Sequence, residues 1–385
     1  LRYITRTIRI LAAVSLLTDM ASEMLYPVMP LYLKSIGFSI LLIGILEGIA
    51  EAVAGLSKGY FGKLSDVTGK RVPFVQAGYA LSAISKPLMA AFVFPLWIFF
   101  ARTIDRLGKG LRTGARDALL SDNSTPENKG KVFGFHRSMD TLGAVTGPAL
   151  ALLYLHFHPN DYKTLFILAF VPGLLAVAAT FLLKEKKKTA TKENVSLHFF
   201  SFLYYWKKSP AQYRKLTAGL LAFALFNSSD VFLLLQAKLS GMNDSQLIGI
   251  YIFYNLVYAL FAFPLGMIAD KAGLKTMFIT GLFLFAFVYF GMSLAVSTSF
   301  FLFLFLVYGI YAAATEGISK AWITNITDRN ETATAIGFYS SFQSICTMLA
   351  SMLAGLIWFH FGASVMFMTT GIVVVLIAVY FLLAV

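Results

Sequence analysis

Runs of about twenty apolar residues recur from one end of this chain to the other, each long enough to cross a hydrocarbon layer of roughly 30 Å as a helix. Backbone groups inside lipid must find their partners within the segment or in a closed barrel, and runs of this length select helices. Twelve are predicted, at 8–33, 40–62, 73–93, 95–119, 133–155, 164–183, 216–238, 245–268, 275–296, 299–322, 333–358 and 362–384. Of 385 residues, 58% are hydrophobic and 13% charged, too few polar groups to wet a soluble surface. The expected fold class is all-α and integral to the membrane, with twelve transmembrane helices. The first run continues as helix and offers no small-residue cleavage site, so it reads as an uncleaved span.

The net charge of +13 reports orientation. Arg2, Arg6 and Arg9 precede the first span; Lys63, Lys70 and Arg71 follow the second, Lys129 and Lys131 the fourth, Lys271 and Lys275 the eighth. The opposite connections carry mainly Lys34, Lys163 and Lys238. By the positive-inside rule both termini face the cytoplasm, and the basic excess has no need of nucleic acid.

The chain also repeats itself. GKLSDVTGKR at 62–71 returns as GMIADKAGLK at 266–275, Gly37 as Gly241, and Gly134-Phe135 as Gly337-Phe338, each about 204 positions on. Two pseudo-symmetric six-helix halves follow, 1–183 and 216–385, with solute held near mid-membrane between them. The basic stretch 184–215 joins them and reads as a solvated cytoplasmic linker, with an amphipathic surface helix around Phe199 to Trp206 as the alternative.

GxLSDxxGKR between spans two and three, with its weaker copy between spans eight and nine, resembles the loop signature of the major facilitator superfamily. The resemblance covers essentially the whole chain and implies the two-lobed major facilitator fold. It marks Gly62, Asp66, Gly69, Lys70 and Arg71, with Gly266 and Asp270 in the copy, as loop and gating residues. The glycines permit tight turns and close helices. Asp66 can accept from helix N-termini or a cation as a latch between halves, and Lys70 and Arg71 anchor the turn at headgroups. GAVTGPAL at 143–150 resembles the GxxxGP mark of the family's antiporters through Gly143, Gly147 and Pro148, a pattern suited to close, bent helix contact.

Span four is the unusual one. At ~100° per residue, Arg102, Arg106, Lys109, Arg112 and Arg116 fall within a sector of about 120°, so one face carries five cations. Such a face turns towards water or counter-charges, since each unpaired charge at the bilayer centre costs roughly 3 kcal/mol. Asp19, Glu23, Glu47, Glu51, Asp105 and Asp140 are the available acids. Arg112 and Arg116, near the cytoplasmic end, read as pairing or gating residues. Arg102 resembles the arginine that proton-coupled family members carry in RxxxGxG, with Arg106 here in the first glycine's place before Gly108 and Gly110.

Proton coupling needs carboxylates that exchange a proton. Asp19 with Glu23, and Glu47 with Glu51, stand four apart on their helices, and two like charges in a low-dielectric site rarely ionise together. With Arg102 these are the proton-coupling candidates. Candidate solute contacts are Tyr26, Arg106 and Lys109 in the first half, and Asn227, Asp230, Tyr254, Tyr311 and Glu316 in the second. Glu316 and Lys320 read as an intrahelical pair, and the Tyr251, Tyr254, Tyr258 stripe reads as packing.

These residues predict a secondary active transporter, a proton-coupled antiporter exporting a small amphipathic or charged organic solute by alternating access. It would sit in the inner (plasma) membrane and work as a monomer, with solute, protons and lipid as its partners. One alternative is an organic-anion transporter or exchanger, for a phosphorylated metabolite or carboxylate-rich chelator, with Arg106 and Lys109 as the clamp. Another is a membrane receptor or scaffold that moves nothing. No glycine-rich phosphate loop or nucleophile–base spacing points to an enzyme, a cofactor or a metal. Cys346, the lone cysteine, excludes an intrachain disulfide and a cysteine metal site. His156 and His158 read as loop surface residues.

Overall fold

A computed structural model describes residues 4–26, 28–29, 32–33, 36–159, 161–185, 198–294 and 297–385, with the backbone alone at 40–48, 244 and 245. Arg2 and Lys34 of the charge pattern lie outside them. Among the described residues regular structure is helical throughout, with no strand. The longer helices are α1 (Arg6–Glu23), α2 (Ile40–Thr68), α3 (Val72–Ala91), α4 (Pro95–Asp122), α5 (Lys129–Phe157) and α6 (Tyr162–Thr180), then α7 (Ala211–Ala224), α8 (Val231–Leu239), α9 (Asp244–Ala272), α10 (Leu274–Leu294), α11 (Thr298–Asn325), α12 (Thr332–Phe361) and α13 (Ala363–Ala384). Taking α7 and α8 as one interrupted span, they account for the twelve expected. Among the described residues, six of these helices, α6 and α9 to α13, are long and apolar enough to cross a membrane on those criteria alone. The others include the ionisable helices of the candidate site.

Local chemistry sets the helix ends. Thr5 Oγ1 accepts from the Ile8 N–H, Asp161 Oδ1 accepts from that of Thr164, and Asn243 and Gln246 cap one another reciprocally. Pro95 opens α4, where a missing N–H costs nothing. Gly37 and Gly241 carry φ of 91° and 99°, and Gly69 and Gly273 carry 65° and 97°, a left-handed backbone that a Cβ disfavours. Both pairs obey the repeat seen in the sequence.

Two expected spans are interrupted. The first regular helix stops at Glu23 and passes into turns at 24–26, ahead of Pro27 and Pro30. The seventh is interrupted over 225–230, where Asn227, Ser228, Ser229 and Asp230 bring side chains that compete for backbone hydrogen bonds. The two interruptions again stand about 204 positions apart.

Two compact units are present. One comprises Leu1–Ser124, Met139–Lys208 and Thr327–Ser341; the other comprises Thr125–Ser138, Ser209–Ile326 and Phe342–Val385. In the first, Tyr32 meets Phe166 edge-on at 4.9 Å in a core with Leu25, Met29, Ile98 and Leu165. In the second, Phe223, Phe285, Tyr289 and Tyr311 form an aromatic core, with Phe285 stacked on Tyr289 at 4.0 Å. The solvated-linker expectation fails for 199–208. That segment is helical, and it buries Phe202 and Tyr205 because Gly59 of α2 leaves room for the Phe202 ring. His156 stands in the last turn of α5 rather than in a loop.

Candidate functional site

The charged helix α4 lies in the first unit, held close to α3 and α2 by its glycines. A Cβ on Gly108 would sit 2.6 Å from the Gly78 carbonyl oxygen, and one on Gly110 2.5 Å from Ser57 Cβ. Glycine is therefore required at both places for packing. Asp105, buried, receives Lys86 Nζ of α3 at 2.7 Å and lies 3.6 Å from Arg102 Nη1. One carboxylate thus answers two buried cations. Lys86 also donates to Ser22 Oγ at 3.3 Å, tying α3 to α1. Arg106 Nη1 stands 3.6 Å from Glu51 Oε2, whose side chain is 40% exposed. Arg112 donates to Ser82 Oγ at 2.6 Å and lies over the Tyr79 ring at 4.6 Å, while Arg116 donates to Asp117 Oδ1 at 2.8 Å. Lys109 is exposed and makes no ion pair among the described residues.

On α1, Ser15 and Asp19 share a face against Asp140, Gly143 and Gly147 of α5. Ser15 Oγ donates to Asp140 Oδ1, and Asp19 stands one turn on from Ser15 on the same face of α1. A Cβ on Gly143 would strike the Leu16 carbonyl oxygen and stand 2.9 Å from Met20 N and 3.1 Å from Asp19 Cβ. On Gly147 it would lie 2.5 Å from the Met20 oxygen and 2.8 Å from Met24 N. Glu23 is partly buried on the same helix, Tyr26 is exposed just beyond it, and Pro148 lies inside α5. The Glu47 side chain lies outside the described residues.

In the second unit Asp230 stands at the break between α7 and α8. It accepts from the buried hydroxyls of Tyr254 and Tyr308, the latter at 2.5 Å, and makes no ion pair among the described residues. Asn227 is partly buried in the same break, and Tyr311 packs beside Tyr308, their rings 5.2 Å apart. Glu316 of α11 pairs with Arg137 of α5 at 3.4 Å, a partner that the intrahelical reading with Lys320 did not supply.

The duplicated loops do the same local task twice. Asp66 accepts from the N–H of Thr334 at 2.5 Å and of Ala333 at 3.4 Å, and from Thr334 Oγ1 at 2.6 Å, capping the start of α12. Arg71 Nη2 lies 2.5 Å from Asp66 Oδ1, and Asp122 lies 3.8 Å from Arg71 Nε. Asp270 accepts from the N–H of Gly130 at 2.7 Å and of Lys131 at 2.9 Å, capping the start of α5. A carboxylate at a helix N-terminus satisfies donors that the helix cannot. Gly62 meets Ala333 and Gly337 backbone, and Gly266 meets Gly130 and Gly134, so that neither glycine has room for a side chain. Gly69 supplies the turn, Lys70 is exposed, and Arg71 is buried rather than at a headgroup.

The family model of the Major Facilitator Superfamily matches residues 11–258 and 240–385. The chain belongs to that superfamily. It is 30% identical over 363 residues to an uncharacterised MFS-type transporter of Methanocaldococcus jannaschii, covering 93% of this chain and 89% of that one. It is 21% identical over 377 residues to the multidrug resistance efflux pump PmrA of Streptococcus pneumoniae, covering 93% and 90%. Among solved structures it superposes on the human organic anion transporter MFSD10 with a TM-score of 0.82 at 15% identity, covering 98% and 99% of the two chains. With FucP in its outward conformation the score is 0.80 at 10% identity, covering 98% of each. At such identities the structures establish the fold alone. This major facilitator protein is a multi-pass membrane protein whose family and fold are those of transporters.

Sequence reasoning missed four side chains. Lys86 was hidden as a single charge in an apolar span; Ser15 gave no signal. Arg137 was legible as a cation within span five. Glu185, in the basic stretch, accepts from the N–H of Arg71 and Val72 at 3.0 and 2.8 Å, capping α3.

Proposed function

We propose that this major facilitator protein is a proton-coupled antiporter that exports a small amphipathic or charged organic solute across the inner (plasma) membrane, with both termini cytoplasmic. It acts as a monomer by alternating access of two halves, 1–183 and 216–385. The observation that carries the reading is the row on α4 facing acids that can release it. Arg106 is held by a half-exposed Glu51, and Lys109 has no ion pair among the described residues. Protonating Glu51 removes the charge that holds Arg106, so proton binding and solute binding compete for the same cation. Arg102, bound to Asp105 beside Lys86, stays neutralised through the cycle and positions the row. Asp66 and Asp270 release and re-form their helix caps as the halves exchange states. The distant likeness to a multidrug efflux pump supports export of an organic solute.

The exposed ammonium of Lys109 beside Arg106, without an ion pair among the described residues, favours a second reading, exchange of an organic anion. Reconstituted vesicles given a pH gradient separate the two. With ethidium and carboxyfluorescein as cationic and anionic probes, gradient-driven flux of ethidium that Glu51→Gln abolishes supports the exporter. Carboxyfluorescein flux that ignores the gradient and is lost in Arg106→Gln supports the anion exchanger. Gradient-driven flux unchanged in Glu51→Gln overturns the competition mechanism.

A further inference from the structure

The glycines of the GxxxGP segment do more than let two helices meet. Asp140, Gly143 and Gly147 recur at three and four residues and so share one face of α5, which Ser15, Asp19 and Glu23 of α1 confront. The Cβ positions of Gly143 and Gly147 point straight at α1 backbone, at Leu16, Met20 and Met24, and Gly143 stands against Asp19 Cβ at 3.1 Å. Any side chain there would push α1 outwards. Without one, α1 lies close enough for Ser15 to reach Asp140 one turn from Asp19, and Asp140 is buried to 6% exposure.

Two carboxylates cannot hydrogen-bond each other without a proton, since each is an acceptor only when ionised. We propose that Asp19 and Asp140 form a dyad that holds one proton between them, that Asp140 is thereby a proton-carrying residue of the exchange, and that Gly143 and Gly147 fix the separation on which the sharing depends. Ser15, by donating to Asp140 Oδ1, holds that carboxylate against the face of α1 that carries Asp19. The step is simple addition. A proton joins one carboxylate oxygen, no other bond breaks, and the dyad passes from two negative charges to one. The groups around it are Glu23 on α1 and Lys109, Arg112 and Arg116 on α4, so a single remaining negative charge has cations to meet it. The helix α6, packed on α1, adds no carboxylate or cation beyond Lys163 at its start. A shared proton is gained and lost as one event of the pair, as coupled carboxylates titrate.

The inference rests on the proton-coupled reading for its role in transport, but the dyad is measurable without transport. Infrared spectroscopy of the purified protein in lipid nanodiscs, titrated with acid and base, detects protonated carboxyl groups through their carbonyl stretch. The expected result is one band at the lowered frequency of a strongly hydrogen-bonded carboxyl, lost in Asp19→Asn and equally lost in Asp140→Asn. It should persist in Glu51→Gln. In Gly143→Ala the band should move to the higher frequency of an isolated carboxyl. Should that variant not fold, Ser15→Ala, which leaves the helix contact intact, should still move the band by freeing Asp140 to turn. A band that survives either single Asn replacement overturns the dyad, as does a wild-type spectrum without one. A band behaving as expected in a protein whose transport ignores the pH gradient keeps the dyad and sinks the antiporter reading instead.

Discussion

Replacing Asp66 with alanine tests the local structure of the duplicated loop most sharply. Its carboxylate caps α12 through Ala333 and Thr334 and pairs with Arg71, which is 2% exposed. Removing one partner of a buried ion pair costs roughly 3–5 kcal/mol, and an N-cap about 1 kcal/mol. The two overlap, and Asp122 at 3.8 Å from Arg71 remains to soften the first, so about 3 kcal/mol is the working figure. At RT this is a factor of roughly 150 in the opening equilibrium of the α12 start. Hydrogen exchange reads that equilibrium directly. Amides 333 and 334 should exchange about two orders of magnitude faster in Asp66→Ala, whereas amides 130 and 131 keep their wild-type rates. Asp270→Ala should do the reverse. Asp66→Asn, which keeps one acceptor oxygen, should fall between. Rates at 333 and 334 within about threefold of wild type in a folded Asp66→Ala protein would refute the argument.

Three further outcomes follow from the same geometry. Arg112→Lys should lower the melting free energy by about 1–2 kcal/mol, because lysine keeps the charge and loses the Ser82 bond and the Tyr79 stack; the loss should largely vanish in a Tyr79→Leu, Ser82→Ala background. Tyr308→Phe, which strips one donor from Asp230, should cost about 1–3 kcal/mol alone and markedly less in an Asp230→Asn background, as a double-mutant cycle in chemical denaturation. At Asp161, the Tyr154 hydroxyl and then Thr164 hold the carboxyl below the ordinary aspartate range. This cap's contribution is whole above the unfolded aspartate value of about 3.9 and is lost as pH falls through the lower folded value, so Asp161→Asn should flatten the acid limb of the melting profile.

Much of the fold was legible because a bilayer leaves few alternatives. Apolar runs gave the spans, and the spacing of Gly62 and Gly266, or of Gly69 and Gly273, carried through to matched positions in the structure. What escaped was carried by single residues whose effect is tertiary. Asn227 to Asp230 look like a polar patch inside a span until the backbone is seen to leave the helix there. Periodicity gathers the cations of α4 onto a face, but it cannot name their partners. Asp105 was met by Lys86 from α3, and Arg116 by its own neighbour Asp117. Asp140 was visible as an acid and Gly143 as a packing residue; that α1 comes close enough at Gly143 for Ser15 to reach Asp140 is a fact about two helices, which no single segment encodes.

Solute flux and proton flux must drive one another if they share a cycle, since coupling between two ligands is reciprocal. Vesicles holding the purified protein and an internal pH-sensitive dye, given an ethidium gradient and no initial pH difference, test this most directly. The account requires the ethidium gradient to move protons in the opposite direction, with the signal abolished in Glu51→Gln and retained in Asp161→Asn. Ethidium that crosses through the protein while internal pH stays constant would contradict it.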